Sequence, residues 1–416
     1  MNAAVSRTLL VSFGFAALAL AHARGAEFDW PQWRGLERTG HSKETGLLTS
    51  WPKDGPKLLW RIKTAGAGYS GPAVADGSLY TMGNRGEDEY VLCYDVKDSR
   101  EKWAVKTGRA YRNGYGDGPR STPTVDGERV YALGANGDLC CLKTADGAVV
   151  WRVNILEKFK GANIGWGISE SPLVEGNMVI VTPGGDLATM AALDKLTGKV
   201  VWTSKDPARA RREEAGYASP IAFTVGGTRQ VATFTAEGAY GARASDGKFL
   251  WRYDRVANDT ANIATPIYHD GHIFFSSDYG TGCVLLKLTA AGSAEEVYFT
   301  RDLRNHHGGV VLVGGHLYGY SGSVLVCMEW ATGKVAWQNR SVGKGSLAYA
   351  DGHLYVRSED GVMALVAANP KAYTEKSRFH QPDRSDQPSW PHPVIANGRL
   401  YLRDQDTILC YDVKQR

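Results

Sequence analysis

The 416-residue chain lacks the short motifs that mark most enzymes. It has no Cys-x-x-Cys pair, no Cys-x-x-Cys-His haem attachment, no Gly-rich phosphate loop, no Gly-x-Ser-x-Gly elbow and no His-Glu-x-x-His helix, so zinc-ribbon, c-type haem, P-loop, α/β-hydrolase and zincin chemistry have no sequence support. Charge of one sign is also scarce. A formal net charge of +4, spread over the whole length without a long basic tract, gives no footprint for a nucleic-acid partner. The one long apolar run, Thr8 to Ala21, falls short of the ~20 residues a membrane span needs. It follows Arg7 and precedes the small-residue steps Ala21-His22-Ala23 and Ala23-Arg24-Gly25-Ala26, which is the pattern of a cleaved secretory signal. Residues 1–26 are therefore expected to be a signal peptide. The mature chain is expected in the periplasm or outside the cell, without a membrane anchor, since no cysteine near the cleavage region offers a lipid attachment point.

Glycine and tryptophan are plentiful, with 49 and 12 residues, and regular aromatics between Gly-rich turns indicate many short strands rather than helices. A repeat organises them. Its cleanest copy runs from Ser121-Thr122-Pro123 through Asp126-Gly127, Arg129–Leu133, Asp138–Lys143 and Asp146-Gly147 to Val149-Val150-Trp151. Four strands separated by turns that supply positive φ make one antiparallel propeller blade. Closing aromatics recur at Trp60, Trp103, Trp151, Trp202, Trp251, Tyr298, Trp337 and Phe379, with gaps of 39 to 51 residues. Openings recur at Pro72, Pro123, Pro172, Pro220, Pro266, Gly309, Leu347 and Pro393. The last unit stops after three strands at Cys410-Tyr411-Asp412, and the lone strand Leu58-Leu59-Trp60 precedes the first unit. Pairing these two ends closes a ring and removes an open edge. The prediction is an all-β, eight-bladed β-propeller over residues 58–416, sealed by its N-terminal strand and preceded by an extension over 27–57.

The segments Ala192–Trp202 and Thr332–Trp337 resemble the tryptophan-docking motif of PQQ-like (pyrroloquinoline quinone) propellers, shared by quinoprotein alcohol dehydrogenases and by the lipoprotein of the outer-membrane β-barrel assembly machine. Asp29–Gly35, Asn305–Gly309 and Leu402–Asp406 resemble a subgroup of exported PQQ-like proteins. The resemblance covers nearly all of residues 58–412 and implies that each Trp packs between neighbouring blades. In dehydrogenases of this kind, PQQ is held by a Trp floor, an Arg and a Ca²⁺ bound by acidic and amide side chains. That set does not map residue by residue here, so no cofactor or metal is assigned. A PQQ–Ca²⁺ oxidoreductase using Arg120, Trp166, Glu170 and Asn262 stands as the alternative, and an envelope protein-assembly factor as a further one.

The loop leading into each innermost strand should ring the channel mouth. Three positions before each opening stand Tyr69, Arg120, Ser169, Tyr217, Ile263, His306, Lys344 and Trp390, and two before stand Glu170 and His307 among smaller residues. This mixture suits a polar pocket with aromatic walls. The candidate ligand residues are Tyr69, Arg120, Trp166, Glu170, Tyr217, Asn262, His306, His307, Lys344, Trp390 and His392. Loops before blades 2, 3 and 4 are long and should wall one half of the mouth, with Tyr111 and Tyr115 in the first and Arg209, Arg211 and Arg212 in the third. Adjacent His306 and His307, read as strand residues, should face opposite ways; a metal there needs ligands from other blades, and a base needs an orienting carboxylate. Cys140-Cys141 resembles the vicinal disulfide of quinoprotein dehydrogenases, but Cys141 lies ten residues before Trp151, as Cys93 does before Trp103, which marks a buried strand position. The expected molecule is a non-catalytic monomer that binds a small molecule or a protein at the channel mouth.

Overall fold

A computed structural model describes residues 27–416; the predicted signal peptide lies outside them. Among the described residues, thirty-two strands form eight four-stranded antiparallel sheets. Blades 1 to 7 span residues 73–109, 124–154, 173–204, 221–253, 267–300, 310–339 and 345–380. Blade 8 takes three strands from residues 394–412 and its outermost strand, Lys57–Ile62, from the N-terminal side. Leu58 pairs with Tyr411 and Trp60 with Cys410, so the ring closes as predicted.

The same outer-strand device recurs around the ring. Cys93, Cys141, Cys327 and Cys410 sit directly opposite Trp103, Trp151, Trp337 and Trp60, each beside a register shift that turns the indole out of its own sheet. The indole N–H then reaches the next blade: Trp60 donates to the Val96 carbonyl (2.9 Å), Trp103 to Thr144 (3.0 Å), Trp151 to Lys195 (3.1 Å) and Trp202 to Ala244 (2.9 Å). A turn glycine of the following blade lies flat on the ring. At Gly198, with φ +70°, an added Cβ would stand 2.8 Å from the Trp151 indole, so both conformation and space require glycine. All six cysteines are buried and unpaired, which gives Cys140-Cys141 no bridge.

Blade 7 departs from the predicted pattern. Ser377, not Phe379, occupies the docking position opposite Leu365, and Phe379 lies two residues further along. The missing indole comes from the N-terminal extension. Trp51 packs against Tyr355 (5.7 Å) and Phe379 (5.4 Å), and its backbone N–H donates to Ser377 Oγ. A distant Trp thus fills the gap that a small residue leaves.

The rest of the extension is an axle. Asp29 accepts from the Asp76 backbone and the Asn397 side chain at the turns opposite the mouth, and Trp30 exchanges backbone hydrogen bonds with Val74 of blade 1. The chain then loops through the channel. Arg34 reaches the carbonyl of Val310 in blade 6, and Arg38 donates to carbonyls of Ser171 (3.0 Å), Pro172 and Pro220 (2.9 Å) in blades 3 and 4. It leaves beside blade 7, where Tyr349 N donates to the Gly40 carbonyl and Ser42 N to that of Tyr349. Gly309 explains itself here. Its φ is +71°, and a Cβ would collide with the Arg34 guanidinium and His392, so the proline that opens most blades is excluded from blade 6.

Candidate functional site: a blind aromatic cup at the channel mouth

The axle closes the channel from one side and leaves a cup of about 580 Å³ at the other, within the size range of small-molecule sites. All eight positions three residues before the blade openings line it: Tyr69, Arg120, Ser169, Tyr217, Ile263, His306, Lys344 and Trp390. They converge because each innermost strand starts at the mouth beside the axis, so one loop position per blade faces inward. Trp166 from the loop before blade 3 joins them, tilted against Tyr217 (5.7 Å) and edge-on to Tyr115 (6.0 Å). Trp33 from the axle also lines the cup, with its indole N–H on Thr265 Oγ1 (2.8 Å) and its ring against His392 (4.6 Å). Tyr279, from the turn between the second and third strands of blade 5, completes the wall. Trp33 and Tyr279 were invisible to a rule based on blade openings. For Tyr279 the only signal was its place in a mouth-side turn.

One arc of the rim is continuous. The Arg120 guanidinium donates to the carbonyls of Gly118 and Gly116 (both 3.0 Å) and lies over the Tyr69 ring (5.2 Å). Tyr69 packs on Trp390 (4.4 Å), whose indole N–H donates to Glu359 Oε1 (2.8 Å); Lys344 Nζ pairs with that same oxygen at 3.3 Å. Burial lowers the Arg120 pKa from its ordinary value and raises that of Tyr217 to about 12, so Tyr217 is a neutral phenol at neutral pH.

The histidine pair differs from the strand-based expectation. Residues 306–308 bend instead of extending, and the two rings meet, Nδ1 to Nδ1 at 2.8 Å. His306 Nε2 lies 2.9 Å from the Tyr279 hydroxyl, and His307 Nε2 lies 3.5 Å from Glu359. One proton pattern suits the two hydrogen bonds: Tyr279 donates to His306 Nε2 and His306 Nδ1–H to His307 Nδ1, which leaves His307 Nε2 protonated, 3.5 Å from Glu359 and without a hydrogen bond to it. Burial, reinforced by Lys344, drives the His306 pKa down to about 4, and that of His307 falls well below its ordinary value for the same first cause. Both rings are neutral at pH 7, and each basic lone pair is already engaged. This leaves no free imidazole base facing the cup.

Three candidates do not face it. His392 is buried beneath the floor, its Nε2 donating to the His307 carbonyl (2.8 Å). Asn262 clamps a loop: its amide donates to Thr235 and Ala236 carbonyls, and its oxygen accepts from Asn258 N and Ser277 Oγ. Glu170 turns into the blade 3 wall, where Oε1 accepts from Thr182 N (2.5 Å) and Oε2 has no partner. Glu170 and Asn262 turn away because each stands next to a cup-facing residue, Ser169 or Ile263, on a locally extended chain. The Arg209–Arg212 stretch is a loop, not a helix, tied by Arg209 to Glu237 and Asp254.

Burial raises the Glu170 pKa to about 7. Its folded value exceeds its unfolded one, so its contribution to stability is complete below about pH 4.5 and is lost as pH rises through 7. Relative to wild type, Glu170→Gln should therefore gain about 2 kcal/mol of stability between pH 5 and 8, measured by urea unfolding across that range. Parallel profiles for the two proteins would show that Glu170 is ionised throughout.

The dehydrogenase-type cofactor set does not fit this cup. Among the described residues its lining contains Arg120 and three Trp side chains but no carboxylate and no amide, and Glu170 and Asn262 face away from it. A Ca²⁺ ion would have no anionic ligand. Among the described residues, no cluster of three or more His, Cys, Asp or Glu side chains is placed to hold a metal, and no helix is long and apolar enough to cross a membrane.

Comparison with known proteins agrees with this architecture. An outer membrane protein assembly factor BamB from Shewanella oneidensis is 24% identical over 257 residues, which are 57% of this chain and 60% of that protein. The chain thus matches about three fifths of that relative's length. In three dimensions it resembles BamB from Moraxella catarrhalis (TM-score 0.61, 16% identity, 86% of this chain and 99% of that one). It also resembles the quinohemoprotein alcohol dehydrogenase of Comamonas testosteroni (TM-score 0.67, 15% identity, 96% and 82%). At such identities these likenesses speak for the fold alone. The PQQ_2 family model, described as outer membrane protein assembly factor BamB, matches residues 87–339 and 302–409, and the chain belongs to that family.

Proposed function

We propose that this chain is an exported, non-catalytic binding propeller that captures a small ligand in the cup at its channel mouth. The observation that carries this reading is the cup itself: a blind cavity of about 580 Å³ with aromatic walls and a floor supplied by Trp33. The engaged histidines and the lack of lining carboxylates argue for holding a ligand rather than transforming it. A thermal-shift screen of the purified protein against a broad set of small metabolites tests the proposal. A ligand at a hundred times its Kd should stabilise the fold by about 2.7 kcal/mol. The gain should vanish in Ser169→Trp, which fills the cup at a position where Trp390 stands in blade 8. A screen without a single stabilising compound sensitive to Ser169→Trp would reject the proposal.

The family match favours a second reading, a role in envelope protein assembly like that named for the Shewanella oneidensis relative. Copurification with an outer-membrane β-barrel protein, unaffected by Ser169→Trp, would support that reading in place of the first.

A further inference from the structure

The charge around the cup selects among ligands. Of the cations on the lining, Lys344 is already matched by Glu359. Arg120 is not. Two of its five N–H groups are accounted for by the Gly116 and Gly118 carbonyls, and no carboxylate lies within salt-bridge distance among the described residues. Asp117, three residues away, is turned outward to Arg112 (3.2 Å). The guanidinium is held over Tyr69 by its carbonyl partners, is half-buried and lines a cavity that has no acidic lining residue. A cation kept in such surroundings without a counter-charge attracts an anion more strongly than an exposed one does.

The opposite requirement comes from the walls. Trp33, Trp166, Tyr217, Tyr69 and Trp390 present ring faces and edges, whose natural complement is a ring with a broad apolar face rather than a compact inorganic ion. Ser169, Thr260 and Thr265 also line the cup; the Ser169 hydroxyl donates to the Gly167 carbonyl and that of Thr265 accepts from Trp33, which leaves Thr260 as the hydroxyl with no such partner among the described residues. We infer that the cup takes a small organic anion, a ring carrying a carboxylate, with the carboxylate on Arg120 and a face of the ring against the aromatic walls. Lys344, at the far end of the same arc, adds a long-range attraction that its pairing with Glu359 largely cancels. The inference rests on the binding reading above and adds the chemical class. An aromatic acid and an acidic sugar share this chemistry, and they are separated by experiment.

Calorimetric titration with two matched pairs supplies the test: 4-hydroxybenzoate against 4-hydroxybenzyl alcohol, and methyl glucuronide against methyl glucoside. The acid of at least one pair should bind about tenfold or more tightly than its neutral partner, and the pair in which this occurs identifies the ring type. The preference should shrink as salt rises from about 20 to about 500 mM and the Debye length falls from roughly 20 Å to roughly 4 Å. Arg120→Met should remove it, while Lys344→Met, which leaves the guanidinium's carbonyl anchors in place, should change it less than about threefold. Equal binding of acid and neutral partner, or of neither acid below about 10 mM, overturns the inference. The cup reading would still stand if library ligands lose their stabilising effect in Ser169→Trp, and would fall with it if they do not.

Discussion

Deleting residues 27–56 should cost at least about 5 kcal/mol and lower the thermal midpoint by 10 °C or about that, although every strand of every blade remains in the truncated chain. The losses have named sources. Trp30, Leu47 and Trp51 leave the core cluster shared by blades 7, 8 and 1, each taking with it roughly the 1.5–3 kcal/mol of a buried apolar side chain. Blade 7 loses its docking indole, because Ser377 has nothing to put in its place. Arg38 is 3% exposed and joins blades 2, 3 and 4 through Thr124 Oγ1 and the carbonyls of Ser171, Pro172 and Pro220. Without it those carbonyls face a water-filled tunnel. Burial lowers the Arg38 pKa to about 9, which still leaves it charged at neutral pH. Thermal unfolding of the full and truncated proteins is the measurement, with hydrogen exchange on the innermost strands as a local readout. A truncated protein that melts within 2 °C or about that of the full chain would show that the axle is an ornament of the ring rather than part of its stability.

Arg403→Ala should lower stability by about 3–5 kcal/mol, the cost of breaking a buried charged network, and Arg403→Lys should recover little of it. Arg403 is fully buried at the seam between blade 8 and blade 1. Its two Nη1 N–H groups are shared among Ser70 O (2.9 Å), Thr81 Oγ1 and Met82 O, its Nη2 donates to Gly66 O (3.0 Å), and its Nε to Gln405 O (2.9 Å). Among the described residues no carboxylate forms an ion pair with it; its donors go mainly to carbonyls, and burial lowers its pKa to about 10 without discharging it at neutral pH. Lysine has neither the planar fork nor the donor count to serve three separate segments of blade 1. Arg357 repeats the arrangement one seam earlier, donating to the carbonyls of Arg403 (2.7 Å) and Pro391 (3.1 Å). Urea unfolding gives the number. An Arg403→Ala protein within 1 kcal/mol or about that of wild type would mean that the closing strand alone seals the ring.

The two predictions concern parts of the molecule that the repeat did not announce. Arg403 stood in a segment that resembled a known subgroup, but nothing about its spacing told a buried clamp from a surface residue. Trp30, Trp33, Arg34 and Arg38 preceded the first blade and followed no period. The paired histidines illustrate the same limit in miniature. Strand geometry predicted that they diverge, yet a bend over residues 306–308 lets them share a hydrogen bond, and Tyr279 and Glu359, 27 and 52 residues away, lie against their outer nitrogens.

What the amino-acid sequence determined by itself was everything that repeats. Turn glycines, alternating strands and outer-strand indoles are local, and eight copies of one local pattern leave a single ring whose last blade borrows its edge from Lys57–Ile62. The same symmetry made the eight residues ahead of the innermost strands converge, since equivalent positions in equivalent wedges meet at the axis. Only the tertiary structure decided what fills that axis, which side chains next to the cup turn away from it, and where blade 7 finds its tryptophan. Those outcomes depend on contacts between segments tens to hundreds of residues apart, made once each. A contact formed once leaves no period for a sequence to display.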